Sequence, residues 1–160
     1  MKKILSLVTA LSLVILGACS TAENSSSQRT TSTEADTKSH NIVVTINGVD
    51  YRATLNDSKA TQSLLEQLPL TLTFRDYASG FDEKISDLDQ ALDYGDDQYE
   101  NDPDALDIAY WSPDERLVFY YGDVGAYSGI HVLGHFDSEN AQEAITQLDE
   151  ASTVTIRLAE

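Results

Sequence analysis

The sequence predicts a mainly β domain of about eight antiparallel strands with two short helices, preceded by an export signal and a tether. Three observations predict this fold: apolar residues that alternate around an Asn-Gly turn, further alternating segments that continue to the end of the chain, and two segments with helical spacing. Antiparallel strands in that number usually close into a barrel or pack as a sandwich.

The first elements are a hairpin and a helix. Residues 41–55, "NIVVTINGVDYRATL", alternate apolar and polar side chains on both sides of Asn47 and Gly48. Both turn residues tolerate a positive φ, which a tight hairpin turn needs. Residues 57–69 then place leucines and an alanine on one helical face, and Pro69 ends this predicted helix.

The rest of the domain reads as strands with one more helix before the last of them. Residues 137–150, "DSENAQEAITQLDE", have apolar residues at helical spacing. Alternation and β-branched or aromatic composition predict strands at 70–74, at 83–88, on both sides of a turn at 112–114, at 130–136 and at 153–159.

The start of the chain has the pattern of an export signal. Two lysines precede an apolar run over residues 4–16, and the small residues Gly17 and Ala18 follow it. The run is shorter than the about 20 apolar residues that span a bilayer. We therefore predict a signal peptide over residues 1–18.

The end of that signal, "LGAC" at residues 16–19, resembles the lipobox of bacterial lipoproteins. The resemblance implies that Cys19, the only cysteine, is acylated with chains such as palmitate and becomes the new N-terminus. Two or more acyl chains hold a protein stably at a membrane. We expect a lipid-anchored, extracytoplasmic protein of the bacterial cell envelope. Its partner is then the membrane, which it contacts through the lipid on Cys19. The alternative is an ordinary secretory signal with an incidental cysteine.

Residues 19–40 separate the anchor from the domain. They are rich in Ser and Thr, and no aromatic or branched aliphatic residue occurs among them, so they cannot bury a core. We predict a disordered tether with a reach of roughly 25 Å, followed by a single domain over residues 41–160.

The charge of the chain bears on its partners. The formal net charge is -17 at pH 7. Contacts with phosphate need cations, so this field argues against nucleic acid as a partner. The expected ligand is an unknown small molecule, peptide or protein, and no cofactor is predicted.

Within residues 41–160, the order of motifs resembles the cyclophilin-like domain family of bacterial secreted proteins and lipoproteins. The resemblance implies a closed antiparallel β-barrel of cyclophilin type, capped by helices. It is carried by residues 44–77, by "EKISDL" at 83–88, by residues 105–122 and by "IHVLGHF" at 130–136.

The resemblance does not extend to a catalytic residue. True cyclophilins isomerise prolyl bonds with an arginine in a Phe-His-Arg phrase, which this sequence lacks. Arg52 and Arg75 are the nearest arginines, and neither has the required neighbours. The prediction is therefore a binding or accessory module without catalysis of its own. An isomerase-like enzyme with a degenerate site is one alternative.

The acidic segment 82–107 suggests a second alternative, a calcium-dependent scaffold or adhesion protein. The best register for a calcium loop starts at Asp89. It fails because Ala91 stands at a ligand position and Tyr94 replaces the required glycine. A solvated acidic loop is the simpler interpretation, and no metal site is predicted.

Four residues are candidates for contact with a ligand: Glu83, Lys84, Tyr121 and His135. Glu83 and Lys84 stand where the family has its own Glu-Lys phrase, and a polar pair at the start of a strand can line a groove. Alternation along the strand predicts that Tyr121 lies on the opposite face from Tyr120.

The two histidines near the end of the chain raise the question of a shared metal. His131 and His135 are four residues apart in a β-like segment. On a regular strand they would share a face but lie about 13 Å apart, at about 3.3 Å per residue. They cannot bind one metal together, although His135 can contact a ligand alone.

Overall fold

The computed structural model describes residues 38–96 and 100–160. The predicted signal peptide, residues 1–18, and the predicted tether as far as residue 37 lie outside the described residues. None of the helices in the described part of the chain combines the length and the apolar composition needed to cross a membrane.

The described chain contains nine strands and two helices, in an order close to the predicted one. The bounds are β1 (His40–Ile46), β2 (Val49–Leu55), α1 (Lys59–Gln67), β3 (Leu70–Leu72), β4 (Arg75–Asp76), β5 (Glu83–Asp87), β6 (Asp107–Trp111), β7 (Arg116–Tyr120), β8 (Ile130–Phe136), α2 (Asn140–Thr146) and β9 (Val154–Leu158).

The first hairpin and helix form as their sequence predicts. Asn47 and Gly48 have φ of 49° and 86°, and the ladder between β1 and β2 starts directly beside them. The Ser58 hydroxyl caps α1 by accepting a hydrogen bond from the Thr61 amide at 3.2 Å. The helix ends at Gln67, just before Pro69, because proline cannot donate a helical hydrogen bond.

All nine strands belong to one antiparallel sheet in the order β3-β9-β1-β2-β8-β6-β7-β5-β4. The sheet curls into a half-barrel, and the expected closed barrel is wrong because its edge strands β3 and β4 do not pair. Both edges come from one segment, the predicted strand 70–74 and its continuation. Only Thr73 and Phe74 separate them, and Phe74 is fully buried in the core.

The curled sheet has an apolar inner face and a second apolar cluster outside. The inner face holds the main core, and both helices pack onto it through residues such as Leu64 and Ile145. The outer cluster lies on the four adjacent strands β5, β7, β6 and β8, and its fully buried members are Ile85, Ala109, Val118, Tyr120 and Ile130. The apolar side chains on the outer face of these four strands are therefore largely shielded from water.

Strand β8 contains an irregularity that changes which side chains share a face. Its pairing with β6 shifts register at Ile108 and Ala109. Gly134, with φ of +156°, lies so close to β2 that a Cβ atom would collide with the carbonyl oxygen of Thr54. This close approach allows β8 to pair with β2 over Gly134 to Phe136.

Candidate functional site

A cavity of about 230 Å³ lies on the outer face of β5, β7, β6 and β8. We call it the outer pocket. Side chains of the strands form one part of its lining, and the loops after β4 and after β7 form the other. The lining residues are Tyr77, Phe81, Glu83, Ile85, Trp111, Arg116, Val118, Tyr120, Val124, Tyr127 and Ile130.

Glu83 is the acidic residue of this lining, and it is 9% exposed. It stands directly opposite Tyr120 in the β5–β7 ladder, and the Tyr120 hydroxyl donates a hydrogen bond to its carboxylate. Burial raises the pKa of Glu83, while that hydrogen bond and the charge of Arg116 oppose the increase. Burial is the dominant cause, so the ionised form of Glu83 is held in an unfavourable environment.

The raised pKa of Glu83 has a consequence for stability. The native state holds this proton more tightly than the unfolded state does, so the contribution of Glu83 to stability decreases as pH rises above its ordinary pKa of 4.5. An ionised, buried carboxyl thus disfavours folding at neutral pH. Groups of this kind concentrate at functional sites.

Arg116 is the basic residue of the lining. Its Nε donates to the Asp87 carboxylate and its Nη1 to the Asp114 carboxylate, both at 2.9 Å. Asp114 also accepts a hydrogen bond from Trp111 Nε1 at 3.1 Å. The turn between β6 and β7 therefore fixes Trp111 and Arg116 together, and two carboxylates offset the charge of Arg116.

A row of titratable groups crosses the outer face from the pocket toward the middle of the sheet. Asp107 lies close enough to Tyr120 that its charge helps to raise the tyrosine pKa, and Asp107 pairs with His135 in the β6–β8 ladder. Burial also raises the pKa of Asp107, while the hydrogen bond that the Asp104 amide donates and the charge of His135 oppose the increase. His135 is exposed, and it stands outside the lining of the outer pocket.

Lys84 and Tyr121 lie on the inner side of the sheet, away from Glu83. The Lys84 ammonium donates to the Asp76 carboxylate and to the Leu148 carbonyl, each at 2.7 Å. It also lies 5.8 Å from the centroid of the Tyr121 ring, whose hydroxyl donates to the Phe81 carbonyl. The Lys84 contacts tie β5 to β4 and to the segment after α2, and the Tyr121 hydroxyl ties the end of β7 to the loop before β5. Contact of either residue with a ligand stays a prediction.

The expectation that His131 and His135 share a face is wrong. His131 pairs with Tyr110, is 3% exposed, and lies 4.4 Å from the Tyr94 ring on the inner side. His135 pairs with Asp107 on the outer side. The register shift in β8 causes the change, because one extra residue reverses the faces of all that follow.

The isomerase alternative concerns Arg52 and Arg75, and the calcium alternative concerns the acidic segment 82–107. Arg52 is exposed and Arg75 donates to Asp87 at 2.8 Å, and neither lines the outer pocket. Within residues 38–96 and 100–160, no three or more acidic, histidine or cysteine side chains are placed to hold a metal. Asp97 of the acidic segment lies outside the described residues, so the calcium alternative stays a prediction.

Sequence reasoning found one residue of the outer pocket, Glu83, and missed most of the others. A period-two signal was available for the strands, because Glu83 and Ile85 share a face, as do Val118 and Tyr120. The loop residues had no such signal. Their position depends on how two loops fold over the sheet, which periodicity does not encode.

Comparison with known proteins agrees with this architecture. The model of the cyclophilin-like family matches residues 44–157. No curated protein matches the chain. The solution structure of a hypothetical protein from Archaeoglobus fulgidus has a TM-score of 0.52 and 14% identity, over 79% of this chain and 99% of that one. At that identity the likeness shows the fold alone. Because the family match spans more than half of the sequence, the chain belongs to the cyclophilin-like family.

Proposed function

We propose that this protein is a lipid-anchored, extracytoplasmic binding module that holds the apolar part of a ligand in the outer pocket, without catalysis of its own. The observation that carries the proposal is the pocket itself, an apolar concavity with one buried carboxyl in its wall. Binding sites in proteins are typically concave, mostly apolar and equipped with a few polar groups that orient the ligand.

The size of the outer pocket indicates what it accommodates. Its volume of about 230 Å³ exceeds the about 150 Å³ of an apolar cavity that binds benzene. It is smaller than the about 300 to 1,000 Å³ of pockets that enclose a drug-sized ligand. The outer pocket therefore suits a small molecule, or a single side chain of a larger one.

The exposed rim of the pocket supports the same proposal. Tyr77 and Tyr127 are 49% and 48% exposed, and both belong to the lining. Aromatic side chains left half in water beside a concavity gain free energy when a ligand covers them. A bound ligand would bury these two rings.

The absence of catalysis is proposed from the residues that the site contains. The sequence lacks the Phe-His-Arg phrase of true cyclophilins. The one arginine in the lining, Arg116, already holds Asp87 and Asp114. These bonds use two of the five N–H donors of the guanidinium, so the proposal rests on the missing phrase.

Ligand binding in the outer pocket is tested with a screen of small compounds. Small aromatic and aliphatic compounds and short apolar peptides are screened with the full-length protein, and both the thermal midpoint and Trp111 fluorescence are followed. Trp111 is the only tryptophan and lines the pocket. We expect a compound at 100 times its Kd to stabilise the protein by about 2.7 kcal/mol.

The variant Val124→Phe places a ring in the pocket and should abolish this stabilisation. Val49→Phe is the matched control, because Val49 is 55% exposed on β2 and its substitution should leave binding unchanged. The proposal is overturned if no compound stabilises the wild type, or if binding to Val124→Phe equals binding to Val49→Phe.

Lipid anchoring is tested at Cys19. The change Cys19→Ala should prevent incorporation of labelled palmitate and move the protein from the membrane fraction to the soluble fraction. Thioether attachment needs the cysteine sulfur, so Ser20→Ala, one residue away, should retain label and membrane association. Membrane retention of Cys19→Ala at the wild-type level would contradict the anchor.

A further inference from the structure

Five of the eleven residues that line the outer pocket are aromatic. The rings come from three different parts of the chain, namely the loop after β4, the strands β6 and β7, and the loop after β7. They belong to Tyr77, Phe81, Trp111, Tyr120 and Tyr127. The face of an aromatic ring carries partial negative charge, so a group enclosed by several rings is favoured if it is positively charged.

The polar groups of the pocket have the same preference. Glu83 is buried in the wall and accepts one hydrogen bond from Tyr120, although a carboxylate has room for about four. The positive charge of Arg116 is already matched by Asp87 and Asp114. Asp87 is also bonded by Arg75, so the two charged lining residues and their ion-pair partners leave one net negative charge, and Glu83 supplies it inside the pocket.

The charge of the pocket lining then distinguishes between anionic, neutral and cationic ligands. An anion would be repelled by Glu83 and by the net charge of -17. A neutral apolar ligand adds no opposite charge to a carboxylate that is already 9% exposed and holds one hydrogen bond from Tyr120. A cation with an apolar body compensates the carboxylate and contacts the rings at the same time.

We propose that the outer pocket binds a small free organic cation, an alkylated ammonium group joined to a short apolar body. The inference rests on the proposed function, since it names the chemistry of the ligand that this pocket holds. Glu83 supplies the opposite charge, and the aromatic walls replace the water that such a weakly hydrated cation loses.

The test compares choline with 3,3-dimethylbutan-1-ol, a neutral alcohol of the same shape. Both are titrated against the full-length protein in a maltoside detergent, with Trp111 fluorescence and calorimetry as readouts. We expect choline to bind about tenfold more tightly, which corresponds to about 1.4 kcal/mol. Equal affinities for the two compounds would overturn the inference and leave the proposed function standing. If neither compound bound, the inference would also be overturned, and the compound screen described above would still test the proposed function by itself.

Two variants assign the effect to the pocket. Glu83→Gln keeps the shape of the pocket and should weaken choline binding, so that the ratio of the choline affinity to the alcohol affinity decreases. Glu143→Gln is the matched control, because Glu143 is exposed on α2. Trp111→Leu should weaken the binding of choline more than the binding of the alcohol, as measured by calorimetry. An unchanged choline affinity in Glu83→Gln would overturn the inference, provided that its thermal unfolding is cooperative as in the wild type.

A third ligand distinguishes a free cation from a lipid headgroup. Glycerophosphocholine carries the same ammonium group with a phosphate attached. Because the surface is acidic, we expect it to bind more weakly than choline. Tighter binding of glycerophosphocholine would overturn the assignment to a free cation.

Discussion

Replacing Gly134 with alanine should lower the free energy of unfolding by at least about 3 kcal/mol. The new Cβ would collide with the carbonyl oxygen of Thr54 and with Leu55 Cα. Both belong to the backbone of β2, which cannot rotate away as a side chain could. Only three residue pairs join β2 to β8, and this joint connects the two halves of the sheet.

The loss is measured by urea denaturation, followed by circular dichroism. Gly80→Ala provides the control, because Gly80 also has a positive φ, +92°, but has open space around it. Its cost should be about 1 kcal/mol, from backbone strain alone. If both variants lost the same stability, strain rather than close approach to β2 would explain the effect.

Replacing Phe74 with alanine should cost about 3 to 5 kcal/mol. Phe74 is fully buried and stacks on Phe119, with ring centroids 4.3 Å apart. It stands between β3 and β4, where the two edges of the sheet do not pair. Its ring therefore fills the interior at the opening of the half-barrel, and alanine would leave a cavity there.

The same denaturation experiment tests this change beside Tyr77→Ala. Tyr77 is three residues further along and 49% exposed, so its truncation should cost less than about 1 kcal/mol. A loss in Phe74→Ala as small as in Tyr77→Ala would show that the opening is filled by other residues. The slope of the transition should not change, since both variants unfold the same core.

Local patterns predict much of this fold, and the residues concerned show why. Asn47 and Gly48 specify their turn through backbone conformation, and Ser58 specifies a helix start through one hydrogen bond. Both effects act within a few residues. The alternation that separates Tyr120 from Tyr121 is equally local, and the two side chains do lie against different clusters.

The strand β4, the open edges of the sheet and the outer pocket were not predicted, because they depend on contacts between residues far apart in the sequence. The two residues of β4 form a strand only because β5 lies beside them. The edge strands β3 and β4 stay unpaired because Phe74, which lies between them, turns into the core. The hydrophobic periodicity of the sequence does not indicate this turn. The outer pocket needs two loops and four strands to meet, so the sequence offered Glu83 as a candidate without the aromatic residues around it.

The short strand β4 gives the outer pocket one wall that is held by few backbone hydrogen bonds. β4 holds to β5 over just two residue pairs, Arg75 with Ile85 and Asp76 with Lys84, and Tyr77 follows it directly. The opposite wall, with Val118 and Trp111, belongs to strands that pair on both sides. Local opening is easiest where few hydrogen bonds must break. We therefore expect local opening to start at the β4 wall of the outer pocket, where the Arg75–Asp87 and Lys84–Asp76 ion pairs add to the two ladder pairs, while the interior of the half-barrel stays intact.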